Sequence, residues 1–224
     1  MKKEIKIVFL LSFTLLIGFI VWTMLILSID VAPVGVNDTL VGFSSLNTMV
    51  HSFIGVHMIL YDITDWLGLV PLFVCCIFAL IGLNQFIKRK NIFKVDTDII
   101  LLGFYYMTVI IGYLIFEIYP INYRPILING CMEASYPSST TLLVLSVMPT
   151  LILQLNSRYK NKRIHKIVKV SVILFCIFMV LGRIISGVHW ITDIIGSILL
   201  SSGLFHLYKG FVLLLKTNDN EFGG

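Results

Sequence analysis

An all-α fold, a bundle of six membrane-spanning helices, is what this chain predicts, and three observations carry the prediction. Of its 224 residues, 58% are apolar or aromatic and only 13% are charged, where a soluble domain carries about a quarter. So little charge cannot coat a water-facing surface, so most of the surface must meet lipid. Six apolar runs stand out, each near the 20 or so residues a helix needs to cross hydrocarbon. The basic residues, finally, collect on alternate connections between those runs.

The runs lie at about 7–29, 66–87, 99–119, 139–155, 170–185 and 194–215. All must be helical, because backbone groups in hydrocarbon need internal partners. The first follows Lys2, Lys3 and Lys6, as a secretory signal would. It is too long for a signal's apolar region and no small-residue cleavage site follows, so it is expected to remain as the first span. Little chain is left for a soluble domain, and residues 1–224 read as one membrane domain. The polar, glycine-ended stretch 217–224 is expected to fray.

Lys and Arg set the orientation. Fifteen of the 17 fall in the N-terminal segment, the second and fourth connections and the C-terminal end. Six alternating spans put all fifteen on one side, expected to be the cytoplasm, with both termini there. The net charge of +5 then reflects orientation and contact with anionic membrane lipids, and no nucleic-acid partner is needed to explain it. Arg124 and Arg183 remain, both at the opposite face. The first outer loop, residues 30–65, holds four aspartates and no Lys or Arg. Two lone cations in such surroundings suggest an anion to hold.

Within that loop, Leu46, Val50, Phe53, Ile54, His57 and Tyr61 recur at helical spacing across residues 43–66. An extracytoplasmic amphipathic helix lying over the bundle is expected, as a cap, a lid or a surface for lipid access. Cys75, Cys76, Cys131 and Cys176 lie in or beside apolar stretches, with no His at metal-ligand spacing. They read as buried, inert thiols. No cluster of carboxylates suggests a metal, and no cofactor is called for. Nothing in the sequence speaks to oligomeric state.

Chemistry concentrates in three outer segments: Tyr123-Arg124-Pro125, Pro137-Ser138-Ser139-Thr140, and Gly182 to Asp193. Asp193 follows His189 by four residues, so the two share a face if a helix starts near His189. A carboxylate there can hold one imidazole nitrogen and leave the other free, the pairing expected at a nucleophile or its base. Arg183 and Arg124 offer guanidinium forks suited to phosphate oxygens. Each residue alone has a plainer explanation. An Asp at a helix start is an N-cap, an Arg near a span end snorkels, and Pro-Ser opens an ordinary helix. Their conjunction on one face is what suggests a site.

Order, spacing and six-span layout resemble the type-2 phosphatidic acid phosphatase superfamily of membrane lipid phosphatases. That family's pattern is Lys-x6-Arg-Pro, then Pro-Ser-Gly-His, then Ser-Arg-x5-His-x3-Asp, and the likeness covers about residues 99–205. The resemblance implies His189 as the nucleophile that becomes phosphohistidine, with Asp193 orienting it. It implies Arg124 and Arg183 as phosphate ligands, joined by Ser138, Ser139 and Thr140 at the start of the fourth span. It further implies a substrate that is a lipid phosphate or an isoprenoid diphosphate, at a cell membrane, on the outer face.

Four positions depart from the pattern. Gly182 stands where the third motif begins with Ser. Glu117 stands where the first motif has Lys, swapping a cation for a carboxyl that can pair with Arg124 and fill part of the clamp. Ser139 and Thr140 replace Gly and His of the second motif, and in the family that His protonates the leaving group. Loss of a general acid costs about 10²–10⁴-fold, more for an alkoxide leaving group than for a phosphate. A lipid diphosphate is therefore the substrate least harmed. Glu133, His51 and His57 are candidate replacement acids. A binder or mover of phospholipid without turnover is the competing expectation. A transporter fits poorly, since His206 is the only ionisable candidate within the span cores.

Overall fold

A computed structural model describes residues 2–159 and 161–222, with the side chains of residues 3–159 and 161–217. Among the described residues there are eight α-helices, besides two single 3₁₀ turns: α1 Lys2–Ser28, α2 Ser44–Ile54, α3 Met58–Leu67, α4 Leu69–Arg89, α5 Thr97–Ile118, α6 Ser139–Arg158, α7 Lys162–Ile185 and α8 Ile191–Phe222. Among the described residues there is no sheet, only isolated bridges. Six segments are long and apolar enough to cross a membrane, in agreement with the sequence.

Two spans begin earlier than hydropathy suggests, at Met58 rather than Trp66 and at Lys162 rather than Val170. Apolar runs mark only the stretch inside hydrocarbon, whereas a helix continues wherever its backbone is satisfied. Asn161 caps α7 by accepting from the amides of Arg163 (2.9 Å) and Ile164 (3.3 Å), so its basic first turns stay helical. At the far end α8 continues to Phe222 through most of the tail expected to fray. Residues 223 and 224 lie outside the described residues.

The least hydropathic span, α6, is also the most buried, with half of its apolar window inside the protein against 17% for α1. It packs against α4, α5, α7 and α8, so its polar side chains meet protein rather than lipid. Tyr105 donates to the Ser146 carbonyl at 2.9 Å, Tyr106 pairs with Thr150 at 2.7 Å, and Gln154 donates to Tyr208 at 2.8 Å. α1 lies along α8, where Gly203 and Gly210 leave room for Leu16 and Phe9. Ser12 donates to the Gly203 carbonyl there at 2.8 Å. Small residues at a helix contact let backbones approach where no hydrophobic effect draws them together.

The single amphipathic helix expected over residues 43–66 is instead two, α2 and α3, broken at Gly55. Its polarity is also inverted. α2 buries Ser44 and Asn47 against the bundle, while Phe53 is 91% exposed. Asn47 donates to the Gly42 carbonyl (2.8 Å) and to Thr192 (3.0 Å), bonds available only on the protein side. Beside a bilayer, an outward apolar face meets lipid at no cost. Asp30 accepts from the Ser45 amide (2.7 Å) and the Ser44 hydroxyl (2.9 Å) at the start of α2, and these bonds hold its carboxyl below its usual range.

The break between α2 and α3 is docked on the turn between α7 and α8. The His57 amide donates to the Ser186 carbonyl at 3.0 Å. Gly187, with φ +68°, passes so close to the Gly55 carbonyl that no Cβ fits. At the opposite end, Arg158 reaches Asp98 (2.8 Å) and Asp96 (3.4 Å), and Arg89 reaches Asp96 (2.8 Å). The cysteines depart from expectation. Cys76 and Cys131 are exposed, and Cys75 and Cys176 only partly buried. A thiol beside lipid has no need of the bundle interior.

Candidate active site

His189 and Asp193 come together, but through an intermediary. α8 starts at Ile191, later than the sequence suggests, and the Asp193 carboxylate turns back to accept the Trp190 amide at 2.9 Å. A carboxylate at this position satisfies an amide left open by the helix start. The imidazole Nδ1 is 3.8 Å from Asp193 Oδ2, beyond a hydrogen bond. The Ser135 hydroxyl fills the gap, 3.0 Å from Nδ1 and bonded to Asp193 Oδ2. Asn122 donates to the other carboxylate oxygen at 3.3 Å. Ser135, Asn122 and Asp193 are all essentially buried.

Direction follows from valence. As a carboxylate Asp193 can only accept, so the Ser135 proton then points at it, and the Ser135 oxygen accepts from Nδ1–H. That fixes the tautomer and leaves Nε2 with its lone pair. Nε2 is buried and has no partner. Burial first, then the charges of Arg124 and Arg183, hold the imidazole pKa well below its ordinary value. At neutral pH it is an uncharged nitrogen base within the electrostatic reach of two guanidiniums.

Both arginines are buried, Arg183 almost wholly. Arg124 is paired with Glu133 at 3.0 Å, not with Glu117, which is exposed at the end of α5. The hairpin that brings Tyr123 opposite Ala134 aligns Arg124 with Glu133, a proximity that linear spacing hides. Arg124 Nε and NH1 and Arg183 Nε are buried donors without partners. Orphaned groups of this kind, costly unless used, are what an anion would satisfy. The Tyr61 ring lies 5.0 Å from the Arg183 Cζ and 5.6 Å from the Arg124 Cζ, so one aromatic face braces both cations.

The chain matches the family model of the PAP2 superfamily over residues 100–214, just over half its length. The chain belongs to the PAP2 superfamily. Among solved structures it is similar to a transmembrane PAP2-type phosphatidylglycerolphosphate phosphatase from Bacillus subtilis, with a TM-score of 0.65, 19% identity, and coverage of 90% of this chain and 96% of that one. No curated protein matches its sequence. Membership makes the chain a multi-pass protein of a membrane phosphatase family.

The PAP2 departures gather where α3 packs. Arg183 NH2 bonds the Thr140 hydroxyl at 2.6 Å and the Asp65 carboxylate at 3.3 Å, and its NH1 bonds Thr64 at 3.4 Å. Tyr61, Thr64 and Asp65 lie at i, i+3 and i+4, one face of α3. Gly182 makes room for that face, since a Cβ there would come within 2.6 Å of Thr64 Cγ2. Gly68, at the α3–α4 junction, packs on Thr140. Two of the four departures from the PAP2 pattern, Gly182 and Thr140, thus border α3, an element that lies outside the matched residues.

Of the second-motif residues, only Thr140 bonds an arginine. The Ser138 hydroxyl donates to Thr141 at 3.1 Å, away from the guanidiniums. Ser139 and Thr140 instead line a cavity of about 430 Å³ between α4, α5 and α6, whose walls include Asp65, Leu72, Val109 and Leu143. This groove is largely apolar and opens beside Arg183. Of the replacement acids considered, Glu133 is taken by Arg124, His51 lies against Trp190 with ring centroids 5.5 Å apart, and His57 is exposed with its ring on the Ile54 carbonyl. Among the described residues no group of His, Cys, Asp and Glu has the geometry of a metal site. Ser135, Asn122, Tyr61 and Asp65 escape the sequence reading. The surplus of aspartates in the first outer loop was the one signal pointing toward Asp65.

Proposed function

We propose that the chain is a membrane lipid phosphatase that hydrolyses a lipid phosphate or diphosphate at the outer face through a phosphohistidine on His189. The observation that carries this reading is the unpartnered, neutral Nε2 of His189 within electrostatic reach of Arg124 and Arg183. The orphaned guanidinium donors hold the phosphoryl oxygens and stabilise the charge that spreads over them in the transition state. Nε2 attacks phosphorus. The imidazole becomes cationic, and Nδ1–H, Ser135 and Asp193 hold that charge. Water then cleaves the P–N bond. No metal or cofactor takes part. The lipid tail rests in the groove between α4, α5 and α6.

Position supports the outer face: both arginines stand opposite the other fifteen basic residues, with the termini cytoplasmic. Single cysteines at Asn129 and Lys162, in a chain whose native cysteines are replaced, should label from opposite sides. The activity test supplies a lipid monophosphate and a lipid diphosphate to the purified protein and to His189→Ala. We expect phosphate release that falls by about 10⁴-fold or more in the variant. Release that survives the substitution would falsify the nucleophile assignment.

One observation favours a second reading, lipid binding without turnover. Each arginine carries a carboxylate of the chain itself, Asp65 on Arg183 and Glu133 on Arg124. If only binding remains, wild type and His189→Ala hold the lipid equally and neither releases phosphate.

A further inference from the structure

We infer that Asp65 is the leaving-group acid of this site, taking the part left open by Thr140, and that the preferred substrate is a lipid phosphate monoester. The inference rests on the reading of His189 as nucleophile. Four observations lead to it. Asp65 and Thr140 bond the same nitrogen of Arg183, so the carboxylate reaches the place where the second motif ordinarily supplies an acid. Both residues line the groove, so Asp65 lies between the phosphoryl site and the lipid tail, where the ester oxygen must be. No cation lines that groove. A diphosphate would leave its departing phosphate facing a carboxylate, which repels it, whereas an alcohol leaving group needs the proton a carboxyl can give. Finally, the Asp65 side chain is 56% exposed while Arg183 is 1% exposed. The guanidinium is fixed and the carboxylate is free to turn from it once a phosphate arrives.

The proton account closes. A phosphate monoester loses its second proton near pH 6, so the species this step uses is the monoanion, the lesser fraction at neutral pH, which brings a proton with it. As its oxygens take over Arg183, that proton passes to the displaced Asp65. Asp65 delivers it to the ester oxygen while the P–Nε2 bond forms and the P–O bond breaks, and the alcohol leaves neutral. Water then attacks phosphohistidine and keeps both protons on the phosphate, which departs as the monoanion; Nε2 is restored, and the Asp65 carboxylate rejoins Arg183.

The test is the dependence on leaving group. Asp65→Asn keeps size and a hydrogen bond but cannot shuttle the proton. Its kcat is measured with an alkyl lipid monophosphate, with an isoprenoid diphosphate, and with p-nitrophenyl phosphate, whose phenolate leaves without help. We expect a loss of about 10²–10⁴-fold on the alkyl ester, less than about tenfold on the other two, and partial recovery in Asp65→Glu. An equal loss on all three makes Asp65 a positioning residue and overturns the inference. So does a gain on all three, which would mean that the carboxylate merely obstructs Arg183. If the wild-type chain releases phosphate from none of them, or His189→Ala still releases it, the nucleophile reading falls and this one with it.

Discussion

The imidazole side of the pocket and its guanidinium side solve opposite problems. On the first, His189, Ser135, Asn122 and Asp193 are sealed from solvent, and each polar atom except Nε2 has a partner. On the second, the buried Arg183 and Arg124 are covered by carboxylates whose side chains are 56% and 39% exposed. A sealed network holds one geometry, because breaking any bond strands a polar group in low dielectric. A carboxylate that is itself open to water is free to turn away and give its place on the guanidinium to a better anion. The proposed chemistry therefore sits on a rigid side, while the proposed ligand-dependent exchange sits on a loose one. On the imidazole side His189 and Asp193 keep the PAP2 pattern; on the guanidinium side Arg124 and Arg183 keep it while Gly182 and Thr140 depart.

The largest effect expected to test that contrast is on the rigid side. Ser135→Ala removes the bridge between Nδ1 and Asp193. Phosphate release should fall by about 10²–10⁴-fold, and stability by about 1–3 kcal/mol, because buried acceptors are left unpaired. Steady-state kinetics and thermal denaturation measure both. A variant as active as wild type would show that the bridge is idle and that the two sides differ less than their burial implies.

A smaller effect is expected in the response to pH. The folded imidazole pKa is depressed by burial and by the arginines, so His189 stays neutral as pH falls through the ordinary value of about 6.5. Hydrolysis of p-nitrophenyl phosphate should hold steady there and decline only at lower pH. The unfolded chain does take up that proton, so His189 subtracts stability as pH falls below about 6.5, by up to about 1.4 kcal/mol per unit. No such penalty is present above that value. An activity limb centred at 6.5 would show an imidazole open to water.

A further effect should come from the loose side. Gly182→Ala drives a methyl into Thr64 and pushes α3 outward. A cost of about 1–3 kcal/mol is expected, read as a lower melting temperature. The loss on alkyl esters should exceed that on p-nitrophenyl phosphate, because Asp65 moves with α3. Equal losses on the two substrates would separate α3 from the leaving group.

Much of this was readable in the chain. Hydrophobic runs mark spans because each helix in a bilayer answers to its surroundings independently of the others. The third motif was legible because His189 and Asp193 lie within one turn's reach of each other along the chain. Ser135 was not, since its partners are 54 and 58 residues away and nothing in its own neighbourhood announces them. Glu117 looked like the partner of Arg124 on spacing alone, and the hairpin that seats Glu133 there is a matter of pairing between strands of backbone. The inverted face of α2 was hidden for another reason. Periodicity locates a polar and an apolar side, but which one faces protein depends on whether the other meets water or lipid.

By itself, then, the amino-acid sequence determined the six spans and their expected sidedness, which follow from local composition, and its resemblance to a motif pattern marked the residues proposed to attack and grip phosphate. The tertiary structure alone decided how those residues are wired: a serine between histidine and aspartate, a glutamate on one arginine, and a face of α3 on the other. Each of these depends on segments distant in the chain meeting at one point, and side-chain bonds across such distances leave no periodic trace in the order of residues.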